Sequence, residues 1–305
     1  MLALVSTPDR PEPVELRDVD DPDVGPDEAL IEVRAFSINR GELHLLAQRP
    51  GWRPGQDVAG VVQEGAASGR GPRQGARVVA AVDGGGWAQR VAASVTRMAE
   101  LPPTVGFAEA AALPVAGLTA LRALREAGTL LGREVLVTGA AGRVGQFAVQ
   151  LAAIAGATVT AAAGSPDRAA ELLTLGAART ATYEEELCGP FHAVMESVGG
   201  PVLEASLRSL EPGGVAVLYG TASGEPARVT LASFAGKHGV SIRSFYIYQT
   251  GVETFGEDLA LLAGLVAAGR LRPQIGMTAS WREAAGALQA LRDRRVRGKV
   301  VLLVD

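Results

Sequence analysis

The chain has 305 residues, 48 % of them apolar, and a formal net charge of −4 from 29 basic and 33 acidic side chains. That length is long for one hydrophobic core and predicts two domains, and no basic stripe points to a nucleic-acid partner. Cys188 is the single cysteine, which excludes an internal disulfide framework and a cysteine zinc cluster.

The N-terminus, Met1 to Val5 followed by Asp9 and Arg10, carries no long apolar signal core. Residues 1–115 read as short strands between Pro, Gly and Asp turn signals, including Ala29–Ala35, Val58–Glu64 and Arg77–Val82. That pattern predicts a compact β-rich barrel or sandwich. From 116 to 250 helices and strands alternate. Val135–Thr138, Thr158–Ala163, Ala193–Glu196, Val215–Tyr219 and Ile242–Ile247 are apolar and β-branched, as in a parallel sheet buried on both faces. Residues 251–305 hold a helix over 253–268 ending at Gly269, a second over Trp281–Arg294, and a last strand, Val300–Val304. The uncharged run Val144–Pro166 is long enough to raise a membrane span. Gln146, Gln150 and Gly156 interrupt it, and a helix followed by a strand fits its pattern, so no membrane partner and a cytoplasmic location are expected.

The stretch Val135-Leu-Val-Thr-Gly-Ala-Ala-Gly-Arg-Val-Gly145 runs from a strand through a glycine turn into a helix over Gln146–Ala155. Such a junction aims backbone N–H groups and the positive end of a helix dipole at a pyrophosphate. The fingerprint is Ala140-x-Gly142-x-x-Gly145 instead of three glycines, with Gly139 one place earlier; Val144 lies inside it. Plain strand-to-helix turns can look the same, but a second strand follows after Gly156, and the context points to a dinucleotide.

An NAD site of this kind usually has an acid at the end of the second strand. Here that strand ends in Gly164, and Ser165 and Arg168 follow. A hydroxyl and a guanidinium suit a 2′-phosphate, so the expected cofactor is NADPH. Ser165 also reads as a helix N-cap before Pro166 at N1, Arg168 as a solvated first-turn residue, and Asp167 as an acid that would reach a ribose in a tighter turn. Arg143 reads equally as a phosphate contact or as a solvent-facing side chain.

The whole chain resembles the medium-chain dehydrogenase/reductase superfamily, in its zinc-independent quinone oxidoreductase branch. The resemblance is carried by Ser37-Ile-Asn39, Gly55-Gln-Asp-Val-Ala-Gly60, Ala110-Ala-Ala-Leu-Pro-Val-Ala-Gly-Leu-Thr119, Glu196-Ser-Val-Gly199, Leu210-Glu-Pro-Gly-Gly214 and Gly298-Lys-Val-Val301. It implies an α/β protein with a GroES-like β-rich barrel over 1–115, a doubly wound Rossmann domain over 116–250, and a return over 251–305 that completes the first domain. It also implies an active site in the cleft between the domains. At the places where zinc-dependent members carry metal ligands stand Ser37 and Gln56-Asp57, a poor ligand set, so no metal is expected.

By the same resemblance Asn39 lies beside the nicotinamide, Thr119 contacts its carboxamide, and Tyr183 packs near the 2′-phosphate. Asn39 could bond a substrate carbonyl or a cofactor hydroxyl, or simply serve a turn. Thr119 also reads as a helix-interior threonine. Gly220 would let backbone approach the cofactor. Phe245-Tyr246-Ile247 would line the nicotinamide pocket, or form a buried strand. Trp52 could stack on a flat quinone and His44 orient a carbonyl; both also read as packing or surface residues.

No Ser/His/Asp triad or carboxylate pair stands out. Hydride transfer asks of a protein mainly placement and exclusion of water. The expected activity is NADPH-dependent reduction of a quinone or an α,β-unsaturated carbonyl, a small-molecule substrate. The rivals are a biosynthetic enoyl reductase and an NADPH-binding redox sensor without turnover; a zinc alcohol dehydrogenase fits least. An apolar edge at Ile242–Ile247 would need covering, and the resemblance implies that it pairs across a two-fold axis in a homodimer.

Overall fold

A computed structural model describes residues 1–185 and 187–305. The chain divides into two units, one formed by Met1–Leu118 with Tyr248–Asp305 and the other by Thr119–Ile247.

The first unit begins with β1 (Leu2–Ser6), β2 (Val14–Asp18), β3 (Glu28–Ile38), helix α1 (Arg40–Leu46), β4 (Asp57–Glu64), β5 (Arg77–Ala81), β6 (Arg90–Ser94), β7 (Met98–Glu100) and helix α2 (Phe107–Ala111). Helix α3 (Pro114–Glu126) runs from this unit into the second. The apolar face of the strands builds one core. In it Phe36 and Trp87, almost fully buried, stack at 5.6 Å between ring centroids. Truncating either to alanine would cost about 3–5 kcal/mol through lost transfer energy and the cavity left behind.

The second unit holds β8 (Glu134–Val137), α4 (Arg143–Ile154), β9 (Thr158–Ala163), α5 (Pro166–Ala170), β10 (Arg179–Thr182), β11 (Phe191–Glu196), α6 (Gly200–Arg208), β12 (Leu210–Leu218) and β13 (Ser241–Ser244). Its sheet runs β10-β9-β8-β11-β12-β13, all parallel. In the unit's own count this is the order 3-2-1-4-5-6, the doubly wound dinucleotide-binding topology, with its switch point between the first and fourth strands. The central strands are buried on both faces, which is why they read as unbroken apolar runs. Helix α4 is buried along nearly its whole length. The uncharged run that contains it breaks at Gly156, φ +86°, before β9 begins. Among the described residues no helix is long and apolar enough to cross a membrane.

The chain then returns to the first unit with α7 (Phe255–Ala267), β14 (Ile275–Ser280), α8 (Ala284–Arg292) and β15 (Lys299–Leu303). The large sheet there runs β14-β15-β3-β4-β5-β7, with β6 also on β3. The last strand therefore lies against β3, with Val301 opposite Ser37 and Val300 opposite Ile38. That register brings the two ends of the unit together, with Lys299 beside Asn39.

Two expectations need correcting here. The strand expected over Ile242–Ile247 spans only Ser241–Ser244, and Ile247 opens a 3-10 turn. The ladder stops where the Phe245 N–H donates to the Leu218 carbonyl. The strand is at the sheet edge, as expected, but its burial is slight and its sequence, Ser-Ile-Arg-Ser, is not apolar.

Candidate active site

In the second unit the glycine turn is built from close backbone contacts. Gly139 takes φ +59°, which a side chain rarely tolerates, and its carbonyl accepts from the Gly142 N–H at 2.8 Å. Gly142 is the N-cap of α4, with extended backbone. A Cβ on Gly145 would stand 2.3 Å from the Gly139 oxygen and 2.7 Å from Ala140 Cα. The first turn of α4 thus packs directly on the loop, and its N–H groups, which lack intrahelical acceptors, stand at the loop. Ala140, fully buried, is pinned to β9 by a 3.0 Å bond from its N–H to the Ala162 carbonyl. Arg143 and Val144, the first residues of the helix, are half-buried.

The C-terminal ends of β8 and β11, where the strand order reverses, are tied by side chains. Thr138 Oγ1 donates to Glu196 Oε1 at 3.0 Å, and that carboxylate also accepts from the Val198 and Gly199 amides at 2.9 and 3.0 Å. Gly220, just beyond β12, is exposed, and a Cβ there would meet Ser197 at 3.0 Å. The cradle therefore fits a pyrophosphate on its own geometry, as strand, tight glycine turn and open helix N-terminus at a switch point.

At the end of β9, Gly164 is exposed, Ser165 half-buried and Arg168 exposed. Ser165 is the N-cap of α5 by position, yet its hydroxyl accepts no capping hydrogen bond. Asp167 lies exposed in the first turn of that helix. The Tyr183 hydroxyl accepts from the Gly139 N–H at 2.9 Å, and its ring edge is 3.6 Å from where a Cβ on Gly164 would be. Tyr183 thus bridges the glycine turn and the end of β9. Burial raises its pKa, partly offset by that backbone bond. Thr119 is buried on α3; Phe245 and Ile247 are buried, while Tyr246 is exposed.

In the first unit a second polar cluster is buried. Asp57, at the start of β4, has no exposed surface and is saturated with donors. Its Oδ2 accepts from Ser37 Oγ at 2.5 Å, Asn39 Nδ2 at 2.9 Å and Lys299 Nζ at 2.9 Å, and its Oδ1 from the Val115 N–H at 2.8 Å. Lys299 Nζ also donates to Asn39 Oδ1 at 2.7 Å. Asn39 precedes α1 in extended conformation, and its N–H donates to Glu42 Oε2 at 2.7 Å. Glu42 Oε1 accepts from the Gly55 and Gln56 amides at 3.1 and 3.0 Å. Burial drives the Glu42 carboxyl up to about 8. The Gln56 side chain is taken by the Tyr248 hydroxyl, which donates to it at 2.8 Å.

These residues do not fit a zinc ion. Ser37 offers a hydroxyl already donated to Asp57, both Asp57 oxygens are engaged, and a lysine ammonium sits against them. A tetrahedral site needs Cys, His or carboxylate groups with free lone pairs.

Asn39 stands at the start of α1, as its turn reading expected, and its side chain is held within this cluster. Glu42 and Lys299 belong to it as well and escaped sequence reasoning. Lys299 was signalled by its rarity and by the Gly298-Lys-Val-Val301 segment, neither of which pointed to Asn39 or Asp57 as its partners. The suggested substrate residues both lie in the first unit. His44 is exposed on α1, where it shares a hydrogen bond with Gln48 at 3.0 Å. Trp52 packs half-buried against the first unit's core, with the Arg49 guanidinium 5.9 Å from its ring centroid.

Residues 25–122 match the alcohol dehydrogenase GroES-like domain, and residues 144–264 match the zinc-binding dehydrogenase family. The chain is 30 % identical to a quinone oxidoreductase of Pseudomonas aeruginosa over 96 % of each protein. It is also 30 % identical to a 2-methylene-furan-3-one reductase of Solanum lycopersicum, over 92 % of this chain and 73 % of that one. At 36 % identity, 92 % of the chain matches the spectinabilin polyketide synthase protein NorB of Streptomyces orinoci, but it spans only 13 % of that protein's length. A mycobacterial protein solved in complex with NADPH superposes with a TM-score of 0.85 at 26 % identity, covering 99 % of this chain and 100 % of that one. The chain belongs to the medium-chain dehydrogenase/reductase superfamily, in its quinone oxidoreductase branch, and is an oxidoreductase of a fold that binds a nicotinamide cofactor.

Proposed function

We propose that this chain is an NADPH-dependent reductase that reduces a quinone or an α,β-unsaturated carbonyl without a metal. The observation that carries the reading is the glycine turn closed onto the N-terminus of α4 at the switch point of the parallel sheet, with no acid closing β9. Ala140, Gly142, Arg143, Val144 and Gly145 would hold the pyrophosphate. Gly164, Ser165, Arg168 and Tyr183 would hold the 2′-phosphate: the Ser165 hydroxyl makes no cap bond, and an exposed arginine supplies the charge. Bound there, a reduced nicotinamide supplies the hydride. Thr119, Gly220 and the Phe245–Ile247 segment would shape its ring site. Asn39 is the group we assign to a substrate carbonyl or a cofactor hydroxyl, with His44 and Trp52 as candidates on the substrate side.

Metal independence is supported by the Ser37–Asp57–Lys299 cluster, in which the Asp57 carboxylate is taken up by four donors, one of them an ammonium. The expected setting is a cytoplasmic homodimer paired through the β13 edge, whose outer side is unpaired among the described residues. Light scattering that reports a monomer would remove that pairing. The second reading, an enoyl reductase of a biosynthetic pathway, is favoured by the likeness to NorB.

Steady-state oxidation of NADPH with a simple ortho-quinone and, separately, with an acyclic enoyl thioester tests both. Quinone-dependent turnover supports the first reading, and turnover with the thioester alone supports the second. Tight NADPH binding with neither turnover would contradict both.

A further inference from the structure

Only two of the 29 basic side chains in this protein are lysines. One of them, Lys299, is 1 % exposed at the start of β15, an otherwise apolar strand against β3. A buried ammonium is costly, and an apolar side chain of similar volume would often be neutral or stabilising in its place. The surroundings give the charge a task. Lys299 Nζ lies 2.7 Å from Asn39 Oδ1 and 2.9 Å from Asp57 Oδ2, while Asn39 Nδ2 donates to the same carboxylate oxygen at 2.9 Å. The three groups form a closed ring of hydrogen bonds. Within it the Asn39 amide has one allowed orientation, because a flipped amide would set its NH2 against the ammonium and its oxygen against the carboxylate. Asn39, 7 % exposed, then has a single Nδ2 hydrogen left uncommitted.

We propose that Lys299 is a positioning residue of the reductase: its ammonium locks the side-chain amide of Asn39. The amide therefore offers a ligand an N–H donor of fixed direction. A partner of matching chemistry is an oxygen acceptor, the carbonyl of a quinone or enone. Ser37 and Glu42 complete the frame, Ser37 on the Asp57 oxygen and Glu42 on the Asn39 backbone N–H.

The functional half of this inference rests on Asn39 belonging to the reductase site, and the test separates the two. The variants are Lys299→Met and the charge-balanced double variant Lys299→Met with Asp57→Asn, which leaves no unpaired buried charge. In the wild-type protein, amide exchange by NMR is expected to show the Asn39 side chain slow and conformationally restrained. In the double variant that exchange quickens by about tenfold or more. The kcat for quinone reduction falls about ten- to hundredfold, as when a group orienting a site residue is lost, and the KM for NADPH stays within about twofold of wild type. A merely structural role predicts lower thermal stability with kcat preserved. An Asn39 amide that exchanges in the wild type like an exposed asparagine overturns the proposal even if no variant folds, and so does an unchanged kcat in a folded double variant. A restrained amide in a wild-type protein without turnover would instead overturn the reductase reading and leave the positioning intact.

Discussion

Gly145→Ala is the sharpest probe of the cofactor cradle. Within a helix the change usually gains about 1 kcal/mol, because alanine loses less backbone entropy than glycine. Here the new Cβ would lie 2.3 Å from Gly139 O, 2.7 Å from Ala140 Cα and 2.8 Å from Ala140 O, all backbone atoms that cannot rotate away. Carbon and carbonyl oxygen are comfortable at about 3.3 Å or more, so the loop and the helix must separate by roughly 1 Å. Overpacking of this kind costs about 1–3 kcal/mol, which leaves the protein between unchanged and about 2 kcal/mol less stable. Binding suffers more. Hydrogen bonds to charged groups are worth about 1.5–3 kcal/mol each, and losing one raises the dissociation constant about ten- to hundredfold. Gly286→Ala is the control: it lies within α8 with nothing within 4 Å of the new carbon, and should gain about 0.5–1 kcal/mol with no effect on binding. Urea denaturation and NADPH titration by fluorescence measure both quantities. A Gly145→Ala protein as stable as Gly286→Ala, with wild-type NADPH affinity, would refute the cradle geometry.

Arg168→Ala should raise the KM for NADPH about tenfold, equivalent to about 1.4 kcal/mol, and leave the KM for NADH within a factor of about two; equal effects on both would remove Arg168 from the 2′-phosphate. Tyr183→Phe takes the hydroxyl from the Gly139 N–H and should cost about 1–3 kcal/mol of stability by leaving that donor unpaired, read as a lower urea midpoint; an unchanged midpoint would mean that water replaces the hydroxyl. Burial drives the Glu42 carboxyl from 4.5 to about 8, so the folded chain holds this proton more tightly than the unfolded one. Its contribution is full below the unfolded value and is lost as pH rises through the folded one. Urea midpoints should therefore decline across that window and flatten in Glu42→Gln, and an equal decline in the variant would assign the effect elsewhere.

The parallel sheet was legible because its strands are buried on both faces and sit between clear helix patterns. The strand β10 was not expected, since Arg179-Thr-Ala-Thr182 is short, polar and at the sheet edge. Nor was β14, where Gly276 interrupts the pattern; a Cβ there would stand 1.8 Å from the Arg297 carbonyl, so the glycine marks a close backbone approach. The glycine turn was readable as a local motif, because strand, turn and helix follow one another in the chain. The Asp57 cluster was not, because its ammonium comes from a residue 242 positions away in sequence. Only the antiparallel pairing of β15 with β3 brings them together. Ser165 reads identically from sequence as a cap or as a ligand; in the structure it stands at the N-cap position of α5 with no side-chain cap bond.

The most direct test of the central claim is NADPH oxidation, followed at the nicotinamide absorption band, by protein stripped with a chelator and checked for metal by elemental analysis. An ortho-quinone is the acceptor, and NADH is run in parallel. The expected result is quinone-dependent oxidation that is undiminished by the chelator and faster with NADPH than with NADH. Activity that vanishes with the chelator and returns with zinc, or a preference for NADH, would contradict it.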